Sequence, residues 1–312
     1  MPTHYRRRHK PCANGLSKNR PLQMLCQVFD SLHQSTRWLI SAFLILGFVT
    51  NSQAATVSVS NYPLLLLSNA VTEGAPSAKQ ILQPGDVGHH SSISPGDIKS
   101  ISDSKFVVWF GSSLETNLAA TLDTAPNAIS LFAFDAFTRH PLRDVKGVPI
   151  PDTFDPHIWL DPDNAKAITR ALAVIHSHAN PQHKALYQAN ALKFAQRMDS
   201  IVATQQQSGQ KLKPYWVYHD AYQYIESALN LQFVGGLSTD HHLAPKASQL
   251  RWLSEQRPSS TMCMITQSEP NKGLIAKLQP VNTTTQLEDM SNNDGFVKGW
   301  TLMAQQINNC IE

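Results

Sequence analysis

The chain is short of the features that would assign it quickly. It has only four cysteines, and two of them, Cys12 and Cys26, fall in a basic N-terminal stretch, which leaves Cys263 and Cys310. Its most apolar early run, Trp38 to Val49, is about 12 residues, well under the ~20 needed to cross a bilayer, which argues against a retained anchor. No acidic residue occurs among the first 24 positions. His-Glu-x-x-His and Gly-x-Ser-x-Gly are both missing, and no general base stands beside the histidines, so the usual signatures of a metallohydrolase or serine hydrolase are absent. There is no internal repeat and no low-complexity tract.

What is present begins with a leader. Arg6, Arg7, Arg8, Lys10, Lys18 and Arg20 precede the apolar run, and Ser52-Gln53-Ala54 then places small residues where a signal peptidase reads. Residues 1–54 are therefore expected to be a cleaved signal peptide, with Met24 as an alternative start. This segment holds seven Lys/Arg against one Asp, so the formal +3 of the whole chain becomes about −3 for the rest. The basic pI belongs to the leader and gives no reason to expect a nucleic-acid partner. The two remaining cysteines suit an exported chain in which they are bridged, with two buried thiols as the alternative.

Strand-like runs at Thr56–Ser60, Phe106–Phe110, Tyr215–Tyr218 and Met262–Thr266 alternate with helical patterns, which predicts an α/β fold with parallel sheets covered by helices. Asp161-Pro162 reads as a helix start, followed by Ala165, Ile168, Leu172 and Ile175 on one face. Asn180-Pro181 starts a second helix with Tyr187, Ala191, Phe194, Met198 and Ile201 on one stripe. It is long and central, which suits a connector over 181–208 between α/β lobes at 55–180 and 209–312. Thr138–Thr153 and Ser291–Gly295 read as surface loops.

Three histidine motifs lie far apart. Pro84-Gly85-Asp86-Val87-Gly88-His89 is a turn that can project an imidazole, although a His-His pair there also suits a solvated loop. In Asp155-Pro156-His157-Ile158-Trp159-Leu160-Asp161-Pro162, two X-Pro steps restrict the backbone around His157, where a hydrogen-bonded core histidine is the alternative. His219 ends the apolar run Tyr215–Tyr218, at the carboxyl end of a parallel strand, where open α/β sheets bind ligands. Asp220 beside it is expected to cap a helix or orient an imidazole. Three imidazoles on one cation suit zinc. A fourth ligand is sought in the acidic pair Glu288-Asp289, and His241-His242 is an accessory site or an exposed turn. His140, His176, His178 and His183 read as surface residues.

Together, Gln83–Asp97, Asp155–Pro162, Tyr218–Tyr222 and Thr266–Pro270 resemble the zinc-specific solute-binding proteins of ABC transporters, of the ZnuA type, across nearly all of Val57–Cys310. The resemblance implies two α/β lobes joined by one long helix, with Zn²⁺ in the cleft between them. It implies His89, His157 and His219 as ligands and a Cys263–Cys310 disulfide. The partners it implies are an inner-membrane permease and its ATPase, and it gives no nucleic acid, no small organic substrate and a monomer in the periplasm. Manganese-type relatives carry a carboxylate at the position of His219, so the histidine favours zinc. The family's late Leu-Asp-Pro-Leu-Gly reads Leu287-Glu288-Asp289-Met290-Ser291 here, which favours Glu288 over Asp289 or a water. The family's His- and acid-rich loop is missing. A zinc hydrolase and a diverged carrier or adhesin-like relative are the competing functions.

Overall fold

The computed structural model describes residues 56–86, 93–206, 212–239 and 244–312. The leader, His89 and His241-His242 lie outside these residues. Among the described residues no helix is long and apolar enough to cross a membrane.

The first part of the chain runs β1 (Val57–Val59), α1 (Tyr62–Thr72), β2 (Lys79–Gln80), α2 (Pro95–Asp103), β3 (Phe106–Trp109), α3 (Thr116–Leu122) and β4 (Ala128–Ser130). Two helices follow, α4 (Pro162–Ala179) and α5 (Lys184–Gln206). The chain then continues through β5 (Lys213–His219), α6 (Glu226–Leu229), β6 (Leu231–Ser238), α7 (Ala247–Glu255), β7 (Met262–Thr266), α8 (Lys272–Ala276), β8 (Val281–Thr285) and α9 (Phe296–Ile311). The strands form two four-stranded sheets, ordered β2-β1-β3-β4 and β6-β5-β7-β8, and every pairing is parallel. The α/β expectation is met. Strands such as Met262–Thr266, buried at every position, read as unbroken apolar runs because helices cover both faces.

The local signals explain where the helices begin. Asp161 accepts from the backbone N–H groups of Asp163 and Asn164, with Pro162 in the first turn, so two of the orphan donors of α4 are satisfied. Ser94 and Asp97 form a reciprocal capping box at the start of α2. Asn180-Pro181 opens a short 3₁₀ turn, Pro181–His183, before α5 begins. Tyr187, Ala191, Phe194 and Met198 are buried along α5, and Asn190 shares that face. Its amide is satisfied by the carbonyls of Val71 and Glu73 at the end of α1. The helix packs against α1, α4, α6 and α9.

Each sheet has one place where successive connections leave in opposite directions, between β1 and β3 in the first and between β5 and β7 in the second. Such switch points open a crevice beyond the carboxyl ends of the strands, where α/β sheets bind their ligands. In the first sheet the protein fills its own crevice. The buried carboxyl of Glu115 accepts from the Ser60 hydroxyl, from Asn61 Nδ2 at 3.0 Å and from Gly111 N at 2.9 Å. Gly111 adopts a φ of 141°, and a Cβ there would strike Ser130 and Phe132. Burial pushes the Glu115 carboxyl up to about 8 in spite of those donors. In the second sheet the crevice stays open as a cavity of about 970 Å³, walled by Tyr218, Thr266, Gln267, Leu274 and Glu288 among others.

His176 departs from the sequence reading. It is 1% exposed, because it sits on the face of α4 that packs against α1, where its Nε2 lies 2.8 Å from Ser68 Oγ. Burial lowers its pKa to about 4. The unfolded chain binds this proton near 6.5 and the folded chain does not. Stability from this group is therefore complete above pH 6.5 and falls as pH drops towards 4, by up to about 3 kcal/mol. Urea unfolding between pH 7 and pH 4 should show that loss reduced in His176→Gln, and an unchanged slope would contradict it.

The Cys263–Cys310 bridge is formed, joining β7 to the last turn of α9 across 47 residues. Reduction is expected to lower the unfolding free energy by about 4 kcal/mol in the chain-entropy picture while the far-ultraviolet circular dichroism stays native. Two free thiols in the untreated protein, found by mass spectrometry, would refute the bridge.

Candidate metal centre

His157 sits at the start of a 3₁₀ turn, Ile158–Leu160, and is 2% exposed. Its ring is fixed from behind, since Nδ1 lies 2.7 Å from Asp155 Oδ1, and the same oxygen accepts the His157 backbone N–H at 3.0 Å. That leaves Nε2 facing forward, 3.7 Å from Glu288 Oε2. The His219 ring lies 6.1 Å from that of His157, centroid to centroid. One ligand atom from each of His157, His219 and Glu288 can be chosen so that all lie within 4.8 Å of one another. Two nitrogens and one carboxylate oxygen at that spacing can share one cation of the zinc type.

Electrostatics make the same point. Burial works against a charged His157, but Glu288 and Asp155 outweigh it and hold the imidazolium up to about 10. Two carboxylates converging on one buried ring create a demand for positive charge that a dication also meets.

The segment around Glu288 is held from several directions. Trp159 Nε1 donates to the Glu288 carbonyl at 2.9 Å, and the Tyr222 hydroxyl donates to the Gln286 carbonyl at 2.6 Å. Burial, then Glu288 and Asp289, push the Tyr222 phenol well above its ordinary value, so it stays a neutral donor. Asp289 is committed elsewhere. Its Oδ2 accepts from Gly85 N at 2.8 Å and its Oδ1 from Ser291 N at 3.0 Å.

Sequence reasoning missed the partners of the histidines. Asp155 stands two positions before His157, a spacing that could have suggested ring orientation. Tyr224, whose hydroxyl donates to the Asp155 carbonyl at 2.9 Å and receives the His140 N–H at 3.0 Å, carries no local signal. Asp220 does not cap the turn that follows, and its carboxylate contacts Arg143, at 2.8 and 2.9 Å, rather than a histidine ring. The 3₁₀ turn that follows, Gln223–Ile225, starts without a side-chain cap. Arg143 belongs to the loop expected at Thr138–Thr153, which runs over the surface as expected with none of its residues buried, although the Arg143 side chain is itself largely covered.

Comparisons with known proteins bear on the whole of this arrangement. Residues 57–309 match the family described as ZnuA, "Zinc-uptake complex component A periplasmic". The high-affinity zinc uptake system protein ZnuA of Brucella abortus is 27% identical over 263 residues, covering 70% of this chain and 78% of that protein. Among solved structures, a crystal structure of ZnuA superposes with a TM-score of 0.69 at 17% identity, covering 83% of this chain and all of the other. A Zn(II)-bound mutant variant of AdcAII from Streptococcus pneumoniae gives 0.66 at 20% identity, covering 81% and 98%. At such identities the structures speak for the fold, two parallel α/β sheets with covering helices.

Because Asp155 sets the direction of the His157 ring, Asp155→Asn is expected to weaken divalent-metal binding by about 10- to 100-fold. Competition against a chromogenic chelator measures this, and parent-like affinity would show that the ring needs no such anchor.

Proposed function

This chain belongs to the ZnuA family of periplasmic zinc-uptake components, and on that premise we propose that it captures Zn²⁺ in the periplasm and delivers it to an inner-membrane ABC permease with its ATPase. The observation that carries the reading is the meeting of His157, His219 and Glu288, which come from three distant parts of the chain, within 4.8 Å.

In this reading His157 Nε2, His219 and Glu288 hold the ion, with His89 as the fourth ligand. Gly85, tied to Asp289, stands four residues before His89, and four residues reach at most roughly 14 Å. The Gly85 bond supports Glu288 rather than Asp289 as the carboxylate ligand, since Asp289 already serves two backbone donors. The two sheets act as lobes over 55–180 and 209–312, joined through 181–208, and the chain works as a monomer after removal of residues 1–54. Capture rather than catalysis is supported by the donor set. Four protein ligands close a tetrahedral site, whereas a catalytic zinc keeps a position for water or substrate. The carboxylates beside it, Asp155 and Asp289, are occupied by hydrogen bonds.

Calorimetry on the mature chain should give one tight zinc per molecule. His157→Ala and His219→Ala should each lose at least a hundredfold in affinity. Glu288→Gln should weaken binding clearly more than Asp289→Asn. Unchanged affinity in His157→Ala would end the assignment, and equal, parent-like binding by both acidic variants would replace the carboxylate with water.

A further inference from the structure

We propose that Arg143, in the loop between β4 and α4, is a positioning residue for His219. The proposal rests on the zinc-binding reading above. The guanidinium is nearly buried, with a side chain 10% exposed, and lies 4.3 Å above the Phe233 ring. It makes a two-pronged contact with Asp220, Nε to Oδ2 at 2.8 Å and Nη2 to Oδ1 at 2.9 Å. Nη2 also donates to Glu226 Oε1 at 2.7 Å, and that oxygen receives the Tyr215 hydroxyl at 2.7 Å as well. Tyr215 lies in β5, the strand that His219 ends.

The geometry reaches the metal centre through one peptide unit. A fork of two parallel N–H···O bonds fixes the plane of the carboxylate as well as its distance, and that carboxylate is the side chain next to His219. On the near side, the His219 carbonyl accepts from Ala221 N and from Gln267 Nε2, each at 3.1 Å. The peptide unit between His219 and Asp220, from which the imidazole is presented, is thereby held from both sides. Arg143 is itself held by the main chain of its loop. Gly236 N and Gln249 Nε2 donate to the Val145 carbonyl at 2.9 and 3.3 Å, so the loop is fastened to β6 and α7. The sequence before His157 thus orients the strand end that presents His219.

Lysine tests this sharply, since it keeps the charge but cannot form the fork. Arg143→Lys and Asp220→Asn would be compared with the parent in three measurements. These are the melting temperature of the metal-free protein, zinc affinity by chelator competition, and the visible d–d spectrum of the Co(II)-substituted protein. The positioning role predicts a loss in zinc affinity of about tenfold in both variants. It also predicts an altered cobalt spectrum, with a melting temperature in Arg143→Lys close to that of the parent. A lysine variant that matches the parent in affinity and spectrum overturns the proposal. Should Arg143→Lys fail to fold, Asp220→Asn decides the matter by the same two readouts. A parent protein that binds no zinc would instead remove the reading on which the proposal rests, so the two failures are told apart.

Discussion

The indole N–H of Trp159 donates to the carbonyl of Glu288 across 129 residues of chain, and the candidate metal centre depends on that bond. It lies where unpaired donors and acceptors are costly, so the two segments that carry His157 and Glu288 cannot drift apart without leaving buried groups unsatisfied. Trp300 Nε1 repeats the device on the Leu160 carbonyl at 3.0 Å, and Tyr62 donates to the Asn293 carbonyl at 2.8 Å. Aromatic side chains suit this work because each brings a large buried surface and a single polar tip. Phe110 packs against Trp159 at 4.9 Å between ring centroids, which continues the contact into the first sheet.

The two sheets share a topology and use it differently. In the first, Glu115 occupies the switch-point crevice and turns it into a rigid wall, with Ser60, Asn61 and Gly111 as donors. In the second, the corresponding space remains a cavity with Glu288 in its wall. Asp155 and Glu288 act on opposite sides of the His157 ring, one as a hydrogen-bond anchor and the other as a neighbouring charge. Arg143 keeps a further carboxylate, Asp220, engaged away from the centre.

Much of this was legible in the sequence. Local rules sufficed where the cause is local: the helix start at Asp161, the apolar stripe of α5, and the buried runs of β3 and β7. Two strands escaped: Lys79–Gln80 is only two polar residues, and Val281–Thr285, though rich in β-branched residues, is too polar to read as a buried run. His176 escaped for a related reason. Its neighbours His178 and His183 share its composition, and only the packing of α4 on α1 makes it a core residue.

By itself the sequence determined the alternation of strands and helices and the segments that carry His157 and His219, because each follows from residue type and spacing within a few positions; the cysteine pair followed from there being only two outside the leader. The tertiary structure alone decided that Glu288 faces the histidines while Asp289 ties down Gly85, that Asp155 anchors one ring, and that Arg143 takes hold of Asp220. Apart from the Asp155 anchor, which stands two positions before its ring, these are contacts between segments separated by tens to hundreds of residues. Which of two adjacent carboxylates turns towards a metal is fixed by the donors that happen to surround each, and those donors are assembled only when the chain has folded.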